Sequence, residues 1–348
     1  MNQRQPITLV TGASGFLGGA ICRRLLAEGR PVRALSRSPM PALEKLGAET
    51  VRADIADTAS LAPAMVGVGT VFHVAARVGV WGPKRAFEHT NIDGTLAVLE
   101  AARRGGVGRL VFTSSPSVVF NDRDLAGVDE SIPLGTDFPA HYPRTKAEAE
   151  RLALAAHRPD GLRVVALRPH LIFGPGDMNL LPRVVRRARA GRLRIVGTGK
   201  NRVDLTYIDN AVDAHLAAER ALAAPESRCG GRAYFITNGE PVELWPWINA
   251  LLARLGIPPV TRHLSLAAAR RIGAVCEALW ATGLLPGEPP MTRFVASELA
   301  KDHWFDITAA RRDLGYEPRV NMADALEKTL PALREAIARP EAQPSRSR

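Results

Sequence analysis

The chain has 348 residues, 46% hydrophobic and 23% charged, which is an ordinary globular balance with room for one large core or two intimate ones. Lys+Arg 46 against Asp+Glu 35 gives a net charge of +11. The arginines, such as Arg183, Arg186, Arg187 and Arg189, lie along a helical stretch without interleaved aromatics, so no nucleic-acid partner is expected and the excess reads as solvated helix faces.

The three cysteines, Cys22, Cys229 and Cys276, are odd in number, widely spaced and free of any Cys-x-x-Cys. They argue against a disulfide framework or a zinc site and fit a reducing cytoplasm. Met1 to Pro6 carries no apolar signal core, and no apolar run reaches the ~18 residues of a spanning helix, so a cytoplasmic protein is expected.

Ile7-Thr8-Leu9-Val10 reads as a buried strand. It runs into Thr11-Gly12-Ala13-Ser14-Gly15-Phe16-Leu17-Gly18 and then an amphipathic helix. A glycine-rich turn between strand and helix lets backbone approach a ligand, and the helix N-terminus offers free N–H groups to a pyrophosphate. The spacing Gly12-x-x-Gly15-x-x-Gly18 differs from Gly-x-Gly-x-x-Gly but signals a dinucleotide site at this position.

The second strand, Val32-Arg33-Ala34-Leu35, ends at Ser36-Arg37 instead of at an acid. An acid would accept from a ribose 2′-hydroxyl, whereas a guanidinium grips a 2′-phosphate. Arg37, with Arg33 nearby, therefore favours NADP(H) over NAD(H). A third strand, Glu49 to Ile55, ends near Asp54, a candidate partner of the adenine. Val71 to Ala76 is a fourth strand running into small residues, where a cofactor can lie flat, and His73 within it reads as structural. Asn91 to Thr95 is expected to open a helix, with Asn91 bridging the fourth strand to the active site.

A fifth strand delivers Thr113-Ser114-Ser115 to its C-terminal end, the edge where ligands sit in open α/β sheets. Ser115 is placed to hydrogen-bond a carbonyl; Ser117 is a weaker substitute. Tyr142 and Lys146 follow, four apart on a helix and so on one face. A nearby cation lowers the pKa of a phenol and suits it to proton transfer. The strand Arg163 to Leu167 then ends at Arg168-Pro169.

The alternation predicts an α/β fold: a Rossmann-type doubly wound parallel sheet with a smaller C-terminal substrate-binding lobe. Residues 1–170 form the dinucleotide domain, with 201–222 returning to it. Residues 171–200 and 223–335 form the lobe, and 336–348 a disordered tail. His263 to Leu285 is expected to pack on the lobe as a helix, or else to serve as a lid or a membrane-surface helix for a greasy substrate.

As a set, Thr11 to Gly18, Asn91, Ser115, Tyr142, Lys146 and Arg168-Pro169 resemble the extended short-chain dehydrogenase/reductase family over nearly the whole chain. Tyr142 to Glu150 and Leu167 to Asp177 point to its 3β-hydroxysteroid dehydrogenase-like branch. Val80-Trp81-Gly82, Leu181-Pro182-Arg183, Thr206 to Asn210, Phe235 to Pro241 and Pro286 to Phe294 are similar to the reductases of bacterial long-chain olefin synthesis.

The resemblance implies NADPH-dependent, reversible reduction of the 3-keto group of a long-chain 2-alkyl-3-oxoalkanoate. Tyr142 would be the proton donor, Lys146 would hold the nicotinamide ribose and lower the tyrosine pKa, and Ser115 would orient the carbonyl. It implies cofactor contacts at Gly12, Ser14, Gly15, Phe16, Leu17, Arg37, Asp54, Ile55, Ala75, Ala76, Asn91, Tyr142, Lys146, Pro169 and Leu171. No metal is expected. Arg77, His170 and Arg293 are the candidate cations for the substrate carboxylate. Homodimerisation, assembly with other olefin-synthesis enzymes and a peripheral seat at the membrane surface are further expectations. The competing substrate is a 3β-hydroxysteroid or a sterol 4-carboxylate; the competing class is a non-catalytic NADP-sensing or RNA-binding relative.

Overall fold

The computed structural model describes residues 5–338. Residues 1–4 and 339–348, to which the readings of the N-terminus and of most of the tail belong, lie outside them.

The chain begins with β1 (Ile7–Thr11), α1 (Phe16–Ala27), β2 (Val32–Ser36), α2 (Pro41–Lys45), β3 (Glu49–Arg52), α3 (Thr58–Ala64), β4 (Val68–His73), α4 (Lys84–Glu88), α5 (Gly94–Arg104) and β5 (Arg109–Thr113). It continues through β6 (Leu125–Val128), α6 (His141–Ala155), β7 (Arg163–Pro169), β8 (Ile172–Phe173), α7 (Leu180–Arg189), β9 (Ile195–Val196), β10 (Arg202–Val203), β11 (Thr206–Tyr207), α8 (Ile208–Ala223) and β12 (Ala233–Ile236). The last part holds β13 (Val242–Glu243), α9 (Leu244–Arg254), β14 (His263–Leu264), α10 (Leu266–Ala281), α11 (Arg293–Glu298), β15 (His303–Phe305), α12 (Thr308–Leu314) and α13 (Met322–Ala338).

Seven strands form one parallel sheet in the order β12-β7-β5-β4-β1-β2-β3. A parallel sheet is covered on both faces, so its strands are apolar throughout and successive residues feed opposite cores. Phe72, Val111 and Val165 point into the core under α1 and α8. Their neighbours Val71, Leu110 and Val164 point into the core under α3, α5 and α6. The strand order reverses between β1 and β4, and the crevice at that switch point is where such sheets bind ligands.

Two expectations need correction. Ala233 to Ile236, assigned to the lobe with 223–335, is the seventh strand of the central sheet, paired with Ala166 to Pro169. The segments on either side of it look irregular in sequence because they form short two-stranded pairings, β8 with β11 and β9 with β14. Residues 336–338, assigned to a disordered tail, complete α13, with Ala336 and Ile337 buried. The helix within 263–285 packs by one narrow stripe: only Ala269 and Gly273 of α10 are buried. A Cβ on Gly273 would lie 2.7 Å from the Arg293 nitrogen, so the glycine allows close docking on α11. Ile272, Val275 and Leu279 are left exposed.

Candidate active site

The loop after β1 is shaped by two glycines. Gly12 has φ +68°, and a Cβ there would meet Ala75 backbone at 2.8 Å. A Cβ on Gly18 would lie 2.4 Å from the Gly12 carbonyl oxygen. Any other residue at either position would push the loop off the end of β4. Gly15 caps α1 without a side-chain hydrogen bond, and the first turn carries no acid. The backbone N–H groups of Phe16, Leu17 and Gly18 are thus left for an anion. The residues present fit a dinucleotide pyrophosphate.

At the adenine end the Ser14 and Ser36 hydroxyls lie 2.6 Å apart. The Arg37 guanidinium is 66% exposed and 3.8 Å from the Asp54 carboxylate, so the two residues face the same spot. Ile55 packs on Gly94 at the opening of α5. Arg33 is no part of this corner. It is buried, donates to the Ala64 and Val66 carbonyls and pairs with Glu49, because it lies in the N-terminal half of β2, away from the ligand edge.

A chain of hydrogen bonds links this loop to α6, the helix that carries Tyr142 and Lys146. Thr11 Oγ1 accepts from the N–H groups of Val74 and Ala75, both at 3.1 Å, and lies 2.8 Å from His73 Nδ1. His73 Nε2 is 3.1 Å from Thr95 Oγ1, which donates to the Asn91 carbonyl at 2.7 Å. The Asn91 side chain accepts from the Arg77 N–H at 2.7 Å and donates to the Arg77 carbonyl and to Thr145 Oγ1, at 3.1 and 3.0 Å. Thr145 bonds back to the carbonyls of His141 and Tyr142. Asn91 does not open a helix as expected: it sits in one π-turn, His89–Asp93, between α4 and α5, the kind of irregularity that gathers at functional sites. Its amide is taken up by Arg77 and Thr145, so it acts as a strut between β4 and α6 and not as a free cofactor contact.

Ser115 leaves β5 in extended conformation and caps the 3₁₀ turn Pro116–Val119. Its Oγ lies 2.9 Å from Ser117 Oγ and accepts from the Ser117 N–H. Burial holds the Tyr142 phenol above its ordinary pKa, while hydrogen bonding to Ser115 pulls it down. The Lys146 cation expected to depress Tyr142 is turned elsewhere. It donates to the Thr113 carbonyl at 2.6 Å and sits 4.2 Å over the Phe112 ring. With 2% of Lys146 exposed, burial drops its pKa to about 7, against the pull of Glu150. Glu150 itself grips Arg168 through two bonds, at 2.6 and 2.9 Å, with both partners buried. Pro169 ends β7, and Leu171 beyond it holds φ +42°, a strained backbone at the ligand edge.

The three candidate carboxylate cations differ sharply. His170 is buried, 2.7 Å from His303, and burial holds its pKa well below the ordinary histidine value, so it is a neutral structural residue. Arg293 is engaged by Glu277 at 2.7 Å. Arg77 lies with its guanidinium 5.2 Å over the Phe87 ring, and its Nε is buried without a partner. The sequence reading missed the cleft beside it, about 270 Å³, lined by Trp81, Phe87, Phe138, His141 and Ala281 among others. Its residues come from four separate segments, and only aromatic content hinted at it. No group of acids, histidines and cysteines able to hold a metal occurs among the described residues.

A phosphate-ready loop, a small-residue strand end and a Ser–Tyr–Lys group on one sheet edge suit hydride and proton exchange at a carbonyl. The family model for the 3-beta hydroxysteroid dehydrogenase/isomerase family matches residues 9–266. The chain belongs to that family. It is accordingly an NAD(P)-dependent oxidoreductase acting on alcohol or keto groups. The member from Stenotrophomonas maltophilia named 2-alkyl-3-oxoalkanoate reductase is 48% identical over 92% of this chain and 97% of that protein. The human sterol-4-alpha-carboxylate 3-dehydrogenase, decarboxylating, is 32% identical over 96% of this chain and 89% of that protein. Among solved structures, a double mutant of the dTDP-glucose 4,6-dehydratase of Streptomyces venezuelae with NAD bound is 27% identical, with a TM-score of 0.74 over 94% of this chain and 97% of that chain. Like that structure, this chain is built on a mostly parallel, Rossmann-like sheet. No helix among its described residues is long and apolar enough to cross a membrane.

Proposed function

We propose that this family member reduces the 3-keto group of a long-chain 2-alkyl-3-oxoalkanoate to the 3-hydroxy acid, reversibly and with NADPH. The observation that carries the reading is the convergence of Ser115, at the C-terminal edge of β5, with the Tyr142 phenol, whose pKa burial raises and Ser115 lowers. A bound nicotinamide supplies the hydride for the carbonyl carbon. Ser115 orients the carbonyl through its oxygen, and Tyr142 gives that oxygen a proton. Lys146, anchored on the Thr113 carbonyl, would hold the nicotinamide ribose. The similarity to the Stenotrophomonas reductase supports the substrate class.

NADP(H) is favoured over NAD(H) by the exposed Arg37 guanidinium beside the Ser14–Ser36 hydroxyl pair, a setting for a 2′-phosphate. The same proposal includes homodimerisation through α5 and α6, where Leu96 is 45% exposed, and assembly with other olefin-synthesis enzymes. It also includes a cytoplasmic location with peripheral contact at a membrane surface, supported by exposed Arg271 beside exposed Ile272 and Val275.

The test is NADP⁺ reduction followed spectrophotometrically with long-chain 2-alkyl-3-hydroxy acids and, as the competing class suggested by the human relative, 3β-hydroxysterols. Turnover of the acids is expected, lost in Tyr142→Phe with NADPH binding intact. Turnover of sterols alone overturns the substrate class, and undiminished turnover by Tyr142→Phe overturns the mechanism.

A further inference from the structure

We propose that Arg77 determines specificity by taking the carboxylate of the substrate, with one alkyl chain lodged in the aromatic cleft beside it. The inference rests on the reading above that the substrate is a 2-alkyl-3-oxo acid.

Charge matching singles out this residue. Three carboxylates border the region, and each has its own cation. Glu88 is held by Arg144 and Lys84. Glu277 is held by Arg293 and Glu288 by Arg183. Arg77 has no hydrogen-bond acceptor for its side chain among the described residues, and its Nε is sealed from solvent. A buried, unmatched guanidinium nitrogen is unfavourable in a folded protein and asks for a partner that arrives later. The planar fork of arginine suits a carboxylate, which can take two parallel bonds.

The placement is fixed as well. Asn91 clamps both the N–H and the carbonyl of Arg77, so its Cα is set by the same side chain that braces Thr145 on α6. Arg77 lies two residues beyond Ala75, against which the Gly12 loop packs. Its aromatic partner Phe87 stands 6.1 Å from His141, the residue before Tyr142. In a 3-oxo acid the carboxyl carbon is two bonds from the ketone carbon, so a cation beside the reacting carbonyl is required. Gly82 lies alongside it: a Cβ there would stand 3.5 Å from the guanidinium, in ordinary contact. Phe87 also lines the apolar cleft with Trp81, Phe138 and Ala281, so the anion site and the chain site share a wall.

The experiment compares a long-chain 2-alkyl-3-hydroxy acid with its methyl ester in NADP⁺-linked oxidation by wild type, Arg77→Gln and Arg77→Lys. Wild type should favour the acid. Arg77→Gln should raise KM for the acid roughly 10- to 100-fold, the loss of one charge-assisted contact, with kcat nearly kept and the ester unaffected. Arg77→Lys should recover part of the preference. NADPH titration by protein fluorescence checks the fold of each variant; should Arg77→Gln fail it, the acid-to-ester ratio of Arg77→Lys decides. Equal kcat/KM for acid and ester in wild type, or an unchanged ratio in the folded variants, overturns the anchor while leaving the reductase reading standing. Turnover of neither compound by wild type removes both.

Discussion

His73 Nδ1 lies 2.8 Å from Thr11 Oγ1, and the proton between them has one owner. Thr11 Oγ1 already accepts two backbone N–H bonds, so its hydroxyl donates and His73 accepts. The other nitrogen, Nε2, then carries the hydrogen toward Thr95, and the imidazole is neutral, in keeping with a pKa that burial lowers to about 3. His73→Phe leaves the Thr11 and Thr95 hydroxyls without this partner, so a loss of about 1–3 kcal/mol in urea unfolding is expected, with weaker NADPH binding from the loosened loop. Unchanged cofactor affinity would show that the hydrogen-bond chain does not position the loop.

The same neutrality sets an acid limit. His73 and His215 have folded pKa values of about 3 and about 4 against the usual 6.5. The unfolded chain therefore binds more protons below pH 6.5, and stability falls as pH drops from there through 4. Thermal unfolding from pH 7 down to pH 4 should show Tm falling progressively, and less steeply in His73→Phe. Equal slopes would remove His73 from the account.

Burying Lys146 costs stability. With its pKa near 7 in the fold and 10.5 as the unperturbed value, it penalises folding wherever the unfolded lysine is charged. The penalty is full at and below about pH 7 and fades as pH rises toward 10.5. Lys146→Met should raise Tm at pH 7 by several degrees, at about 2–4 °C per kcal/mol for large domains, while abolishing turnover. The gain should shrink as pH rises; a gain that grows with pH contradicts the burial argument.

Tyr142 has its pKa raised by burial, so the acid form predominates at neutral pH. Reduction uses that form and oxidation needs the phenolate. NADP⁺-linked oxidation should therefore accelerate between pH 7 and pH 9 while NADPH-linked reduction does not. Oxidation that slows over this range would remove Tyr142 as the base.

Glu150 and Arg168 form a two-bond pair with both side chains buried. Removing one partner strands a buried charge, so Glu150→Gln should destabilise by about 3–5 kcal/mol in urea unfolding. Glu150→Leu combined with Arg168→Met should recover much of that. A single variant within about 0.5 kcal/mol of wild type, the range of ordinary surface substitutions, would contradict the pair's burial.

Much of the fold was legible because parallel strands announce themselves as short apolar runs. Ile7 to Val10, Val32 to Leu35 and Arg163 to Leu167 fall on β1, β2 and β7. β12 is an equally apolar run, yet nothing local marks it as a member of the main sheet, since pairing over long sequence separations leaves no local trace. At the site, the spacing of Tyr142 and Lys146 placed them on one helix. It could not show that Lys146 reaches the Thr113 carbonyl instead of the phenol, because a long side chain settles where burial and acceptors direct it. The fates of Arg77, His170 and Arg293 depended on partners far away in sequence: Phe87, His303 and Glu277.

The late return of β12 also matters while the protein is being made. Synthesis through Pro169 completes the Gly12 loop, Ser115 and the Tyr142 helix, yet β7 then has no neighbour on one side until Ala233–Ile236 emerges. In that interval the nascent chain presents a parallel strand with unpaired N–H and C=O groups, the kind of edge that other chains can adopt. Fragments ending between residues 170 and 232 should therefore be sticky and poorly recovered, and the yield of active enzyme should depend on how quickly translation crosses that stretch.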